Sequence, residues 1–198
     1  MTAESRDEGK RSAAPGRPRD GRIDAAIIAA TRELILQTGY SALSLSAIAA
    51  HAGTTTAAIY RRWSGKAQLV HEAVLSAETI SPPDGSGDVR ADIRALVETV
   101  RVMFNRPEVR LALPGLIADT VADPELHSMM TARLAGDLTV FETRFGQERR
   151  DEDRLPMLAE VVAGTAIFRI LMRQDAALDE TWVDEMTEMI TERWPPGN

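Results

Sequence analysis

The stretch SLSAIAAHAGTTTAAIYRRWSGK, residues 44–66, contains two short helical patterns separated by a turn. Ser44 is a favoured N-cap residue, and Ile48 follows at helical spacing before Gly53 ends the first pattern. Thr55 can cap a second short helix. A short helix, a glycine turn and another short helix form a helix-turn-helix, whose second helix is suited to enter a DNA major groove.

The side chains after the turn fit that interpretation. Thr56 and Ala57 are small enough to let a helix approach base edges, where a methyl group can meet a thymine methyl. Trp63 is predicted to be buried and to lock the second helix onto its neighbours. Four further side chains are suited to phosphate contacts, which set register without reading sequence: Tyr60, Arg61, Arg62 and Lys66.

Charge is distributed unevenly along the chain. Residues 10–66 carry nine basic and three acidic side chains, whereas residues 76–198 carry 13 arginines and 23 acids. This asymmetry predicts a basic end for a polyanion and an acidic body with another task. The chain has no cysteine, which excludes disulfides and thiolate metal sites, and it has no apolar run long enough for a membrane span. We therefore expect a soluble, cytoplasmic protein.

Apolar residues recur at helical spacing beyond residue 22, and no segment alternates with the period of a strand. The fold class is therefore predicted to be all-α, with a first helix that ends near Gly39. The domain boundaries that we expect are a flexible basic arm at 1–21, a helix-turn-helix DNA-binding domain at 22–66 and a helical body at 67–198.

The segment LSLSAIAAHAGTTTAAIYRRWSGKAQLV, residues 43–70, resembles the DNA-binding signature of the TetR family of transcriptional regulators. The arm GRPRDGR, residues 16–22, is similar to the family as well, and residues 160–190 resemble its dimerising end. The resemblance implies about nine helices. The first three would bind DNA, the middle ones would enclose a small-molecule pocket, and the last two would pair with their copies in a homodimer.

The resemblance also implies which positions most often touch DNA: Ser44, Ser46, Thr55, Thr56, Ala57, Tyr60, Arg61 and Lys66. Two residues depart from the usual family pattern. Ala58 stands where a hydroxyl side chain is usual, and Thr56 stands where a long polar side chain is frequent. We therefore expect Arg17 and Arg19 in the arm to supply part of the specificity by entering a minor groove.

The last two helices are the predicted seam of a four-helix dimer interface. Gly164 and Thr165 would allow close backbone approach, and the remaining predicted seam residues are Val161, Phe168, Met172, Trp182, Met186 and Ile190. Two recognition helices about 34–36 Å apart, one DNA turn, would read a palindromic operator in double-stranded DNA.

A pocket for a small apolar or amphipathic effector is expected from the resemblance. Its predicted wall combines flexible thioethers with aromatic and aliphatic side chains: Met103, Phe104, Leu116, Met129, Met130, Phe141 and Phe168.

Catalysis finds little support in the sequence. The three histidines, His51, His71 and His127, stand apart, so no catalytic residue, metal site or cofactor is predicted. The predicted function is that of a DNA-binding transcriptional regulator and not an enzyme. We expect a repressor that a small molecule releases from its operator. The alternative is a similar regulator without a small-molecule effector, which a protein partner controls or which acts constitutively.

Overall fold

The computed structural model describes residues 21–75, 86, 88–132, 154–173 and 177–193. Within these ranges every regular element is a helix, which confirms the all-α prediction. The described ranges contain nine helices: α1 (Gly21–Ala42), α2 (Leu45–His51), α3 (Thr56–Tyr60), α4 (Lys66–Leu75), α5 (Val89–Asn105), α6 (Pro107–Ala122), α7 (described over 124–132), α8 (Arg154–Met172) and α9 (Glu180–Arg193). Within the described ranges, no helix combines the length and the apolar character that a membrane span requires.

Helix α1 turns an apolar face inward and is interrupted where the sequence predicts its end. Ile27, Ala30 and Ile35 are buried on that face. Gly39 breaks the helical backbone with a φ of 73°, a conformation that is cheap only for a residue without Cβ. The short helical turn that follows brings Tyr40 back into the core.

The helix-turn-helix is built on three large buried side chains. Ile48 of α2, Ile59 of α3 and Trp63 just beyond α3 are all at most 3% exposed, which confirms that Trp63 is a buried anchor. Gly53 makes the turn between α2 and α3 with a φ of 65°. Burying an aliphatic side chain contributes about 1.5–3 kcal/mol, so these residues fix the orientation of the very short helix α3.

Helix α4 packs against both α1 and α6, which also pack against each other. Two backbone carbonyl groups of α4 accept hydrogen bonds from arginine side chains. Arg32 Nε of α1 donates to the carbonyl of Ala73 at 2.5 Å, and Arg106 Nη1 at the start of α6 donates to the carbonyl of Val74 at 3.5 Å. These two bonds connect α4 to both of its neighbours.

Helix α9 packs along α5, and this contact corrects part of the predicted dimer seam. Trp182, Met186 and Ile190 were expected to face a second copy, but all three are buried within the single chain. Their four-residue spacing identifies an apolar helix face, and here α5 of the same chain covers that face. Arg94 of α5 forms two ion pairs with α9. Its Nη2 lies 3.1 Å from Glu180 Oε2, and its Nη1 pairs with Asp184.

Candidate nucleic-acid interface

Capping hydroxyl groups define the beginnings of both helices in the helix-turn-helix. The backbone N–H of Ala58 donates to Thr55 Oγ1 at 3.2 Å, and the N–H of Ala47 donates to Ser44 Oγ at 3.2 Å. Ser44 Oγ also lies 3.1 Å from Ser46 Oγ, so these two exposed hydroxyl groups form a pair at the start of α2. The sequence-predicted caps are therefore at the predicted positions.

The outward face of α3 presents three of the residues predicted to touch DNA. Thr56, Ala57 and Tyr60 are exposed, with 61% of Tyr60 accessible, and Arg61 is exposed directly after them. We call Thr56, Ala57 and Tyr60 the α3 face. A solvent-facing recognition helix with a basic residue at its end is the arrangement that major-groove binding requires.

Ala58 lies on the opposite side of α3 and is only 4% exposed. The family pattern predicts a hydroxyl contact to DNA at this position, which alanine cannot make. Because Ala58 is buried, it does not contribute to the exposed surface of α3.

Arg62 also faces away from the expected DNA surface. Its Nε forms an ion pair with Asp24 of α1, and its Nη1 donates to the carbonyl of Ala58 at 2.9 Å. The Arg62 side chain is 11% exposed. The prediction of a phosphate contact from Arg62 is therefore corrected: this guanidinium holds α3 to α1, which leaves Arg61 as the exposed arginine at the end of α3.

Lys66 rests on Tyr40 at the start of α4. Its Nζ lies 4.2 Å from the centroid of the Tyr40 ring and donates to the Tyr40 carbonyl oxygen at 3.3 Å. The side chain is partly buried by this contact. A cation above an aromatic face is stabilised by the ring, and an ammonium group has three donors, so Lys66 keeps donors for a phosphate.

Tyr40 in turn connects α1 to α6. Its hydroxyl group donates to the carboxylate of Asp119, and its ring lies against Gly115, where a Cβ would come within 2.8 Å of Cε1. Burial, the hydrogen bond to Asp119 and the charge of that carboxylate all raise the pKa of Tyr40, so the hydroxyl remains a donor. We call Tyr40, Lys66, Gly115 and Asp119 the Tyr40 cluster.

The Tyr40 cluster was not predicted from the sequence. Its members come from three helices, and Tyr40 and Asp119 are 79 residues apart along the chain. The only sequence signal was the glycine before Tyr40, which marks a helix end but does not identify what the following aromatic contacts.

The residues predicted to line an effector pocket have different surroundings. Phe104, Leu116 and Met130 are buried, and Met103 and Met129 are partly buried against the same core. Phe168 is 56% exposed, so its assignment to an enclosed wall is corrected. Phe141 lies outside the described residues, as do Arg17 and Arg19 of the arm.

Helix α8 also has an exposed face, and this face is mainly apolar. Leu158, Val162, Ala166 and Ile170 are buried at four-residue spacing, and the opposite side carries Met157, Val161, Gly164, Thr165, Phe168 and Met172. Of these, Met157, Phe168 and Met172 are more than half exposed and Gly164 is exposed as well. We call this set the α8 face; five of its six members were predicted for the dimer seam.

Comparisons with known proteins agree with this arrangement. A sequence model described as bacterial regulatory proteins of the tetR family matches residues 27–73, and one described as a tetracyclin repressor-like C-terminal domain matches residues 82–190. The crystal structure of the TetR family transcription regulator SCO0332 superposes with a TM-score of 0.63 at 25% identity, covering 88% of this chain and 100% of that one.

Two sequence relatives are also transcriptional regulators. The HTH-type transcriptional regulator YdeS of Bacillus subtilis (strain 168) is 28% identical over 137 residues, which is 68% of this chain and 63% of the relative. The DNA-binding transcriptional repressor TetR of Mycobacteroides abscessus is 35% identical over 80 residues, 39% of this chain and 42% of the relative. The matches thus span less than two thirds of either relative. Because the C-terminal model alone covers more than half of the sequence and the N-terminal model covers the helix-turn-helix, the chain belongs to the TetR family of helix-turn-helix transcriptional regulators.

Proposed function

We propose that this regulator is a cytoplasmic homodimeric repressor that binds a palindromic operator and is released by a small molecule. The observation that carries the proposal is the α3 face, which is exposed beside Arg61 while the rest of α3 is buried. Ser44 and Ser46 at the start of α2 add hydroxyl donors for phosphates next to it. The Mycobacteroides abscessus relative is a DNA-binding transcriptional repressor, which supports repression as the direction of regulation.

The α8 face supports the homodimer. Large apolar side chains that lie in a row on one helix are costly to leave in water, and the exposed Gly164 in their midst lets a second backbone approach closely. One recognition helix gives modest affinity, whereas two can read a palindrome.

The Tyr40 cluster supports release by a ligand. Helix α6 carries the buried Leu116 of the expected pocket, and three residues further along it carries Asp119, which accepts the Tyr40 hydroxyl bond. A ligand that displaces α6 must therefore move Tyr40 and Lys66, which lie at the base of the DNA-binding helices. By thermodynamic linkage, ligand and operator then weaken each other by the same factor.

The first experiment tests specific DNA binding. Fluorescence anisotropy with the DNA upstream of the protein's own coding region, at two salt concentrations and with competitor DNA, should show tight binding that survives the competitor and weakens steeply with salt. Arg61→Ala should reduce the slope of log affinity against log salt by about 0.9 per lost phosphate contact, about two for a dimer. Arg90→Ala, which removes an exposed arginine from α5, is the matched control and should leave the slope unchanged.

Equal binding of Arg61→Ala and wild type to every duplex, with equal salt slopes, would show that Arg61 makes no phosphate contact, and a wild type that binds no duplex in the presence of competitor would contradict specific DNA binding. Release of DNA by a ligand is tested next. The duplex that binds tightly is mixed with the protein and with small apolar compounds that raise the thermal unfolding temperature of the protein, and anisotropy measures whether the duplex dissociates. A compound that stabilises the protein without weakening the bound duplex argues against ligand-driven release.

A further inference from the structure

We infer that Thr56 and Ala57 read the operator half-site through the 5-methyl groups of thymines. This inference rests on the proposed DNA-binding function and specifies what the α3 face recognises. Helix α3 and its cap, residues 55–60, have the sequence TTAAIY. These residues include no Arg, Lys, Asn, Gln, Asp or Glu, which are the side chains that hydrogen-bond base edges in pairs.

Burial and capping exclude three further residues from contact with base edges. Ala58 and Ile59 are buried, and the hydroxyl group of Thr55 already accepts the backbone N–H of Ala58. In a helix-turn-helix, the N-terminal residues of the second helix meet the base edges. Besides the capping Thr55, the exposed side chains at that end of α3 are Thr56 and Ala57, and each of them carries one methyl group.

The remaining exposed neighbour within α3, Tyr60, offers a single hydroxyl group and not the paired donor and acceptor that read a base edge. Tyr60 lies one helical turn after Thr56 and three residues after Ala57, so its ring flanks both methyl groups. Arg62 is held by Asp24 and by the carbonyl of Ala58. Arg61 follows the last residue of α3, at the end of the helix where contacts go to the phosphate backbone.

The free energy of recognition favours thymine at such a surface. A guanine placed against these two side chains loses water from its O6 and N7 acceptors and gains at most the single hydroxyl donor of Thr56, which is less than the paired donors that Arg or Lys would supply. A thymine gains apolar contact through its C5-methyl group, and each buried methyl group changes affinity by about fourfold. The half-site should therefore carry thymine at one or two positions opposite α3.

The test uses the full-length protein and defined DNA. Selection from a duplex library with a randomised core gives the preferred half-site, and anisotropy then measures that duplex with single thymines replaced by deoxyuridine, which removes only the 5-methyl group. Replacement opposite α3 should weaken wild-type binding by about fourfold. Replacement of a thymine in the spacer between the half-sites is the DNA control and should have no effect.

Matched protein variants show which side chain contacts which thymine methyl group. Thr56→Ser keeps the hydroxyl group and loses the methyl group, so it should bind thymine and deoxyuridine equally at one position. Thr56→Val keeps methyl groups and loses the hydroxyl group, so it should retain the preference. Ala57→Gly should abolish the preference at the neighbouring position. Because Thr56 is exposed, Thr56→Ser should unfold at the wild-type temperature, which makes it the decisive variant should Ala57→Gly weaken the helix.

Three results would overturn the inference. The selected half-site could carry no thymine opposite α3, deoxyuridine could bind as well as thymine at every position, or Thr56→Ser and Ala57→Gly could both keep the full preference. In each of these cases specific binding persists, so the proposed function stands. A library from which no sequence is enriched would remove the proposed function and this inference with it.

Discussion

The α3 face and the α8 face are both the exposed sides of helices whose opposite sides are buried, but their chemistry differs. The α3 face consists of small side chains and one tyrosine, next to Arg61, and it suits a polyanion with a grooved surface. The α8 face consists mainly of Met, Val and Phe and suits another apolar protein surface. Exposure alone therefore does not identify a partner. The size and charge of the exposed groups decide between nucleic acid and a second copy.

The strongest test of this comparison removes one aromatic residue from each region. Trp63→Ala should lower the free energy of unfolding by about 3–5 kcal/mol, because the buried indole anchors α3. Phe168→Ala, measured at a protein concentration low enough for single chains, should change it by at most about 0.5 kcal/mol, because its ring is exposed. Denaturant unfolding measures both. Similar losses in the two variants would contradict the distinction between a buried anchor and a partner surface.

A charge on the α8 face should break the homodimer. Phe168→Asp should raise the dimer dissociation constant by about a hundredfold or more, because an unpaired carboxylate in an apolar interface costs several kcal/mol. Sedimentation equilibrium gives the constant, and Val102→Asp on α5 provides a control at a similarly exposed apolar position. A dimer that survives Phe168→Asp but dissociates with Val102→Asp would move the interface from α8 to α5.

Gly115 of α6 and Gly164 of α8 offer a test of intermediate size. Gly115→Ala should lower the free energy of unfolding by about 1–3 kcal/mol, because a Cβ would lie 2.8 Å from Cε1 and 2.9 Å from Cγ of Tyr40. Gly164→Ala on the α8 face should leave single-chain stability unchanged or raise it by up to about 1 kcal/mol, because no atom lies within 4 Å and alanine favours helix. Thermal unfolding of both variants suffices. Equal destabilisation by the two substitutions would show that the packing of the Tyr40 ring does not depend on the absence of a Cβ at Gly115.

The smallest effect concerns pH at the junction of α4 and α6. Burial acts to raise the pKa of Glu108, but its backbone hydrogen bond, Arg106 and Arg32 outweigh burial and hold the pKa below the ordinary value of 4.5. A carboxyl group with a lowered folded-state pKa stabilises the fold above about pH 4.5, and this contribution is lost as the pH falls further.

Glu108→Gln should therefore flatten the decline of unfolding free energy at acid pH, as measured by denaturant unfolding between pH 7 and pH 3. Glu125→Gln, at an exposed position of α7, is the matched control and should follow the wild-type profile. A wild-type profile in Glu108→Gln would mean that the ion pair of Glu108 with Arg106 and the charge of Arg32 do not contribute to stability.

The sequence by itself determined the helices and the helix-turn-helix. Ser44, Thr55 and Gly53 act on their own neighbours through a cap or a permitted φ, so their structural effect is local and can be predicted without the fold. The burial of Trp63 was also predictable, since a large aromatic residue between two short helices needs cover.

The tertiary structure decided what covers each helix face. A four-residue apolar spacing shows that a face will be buried but not by which helix, and so Trp182, Met186 and Ile190 contact the core of their own chain and not a second copy. The same holds for charges: Arg62 is 38 residues from Asp24, and Lys66 reaches Tyr40 across 26 residues. Such partners are set by how the helices pack, because side-chain contacts between distant residues form only after the backbone brings them together.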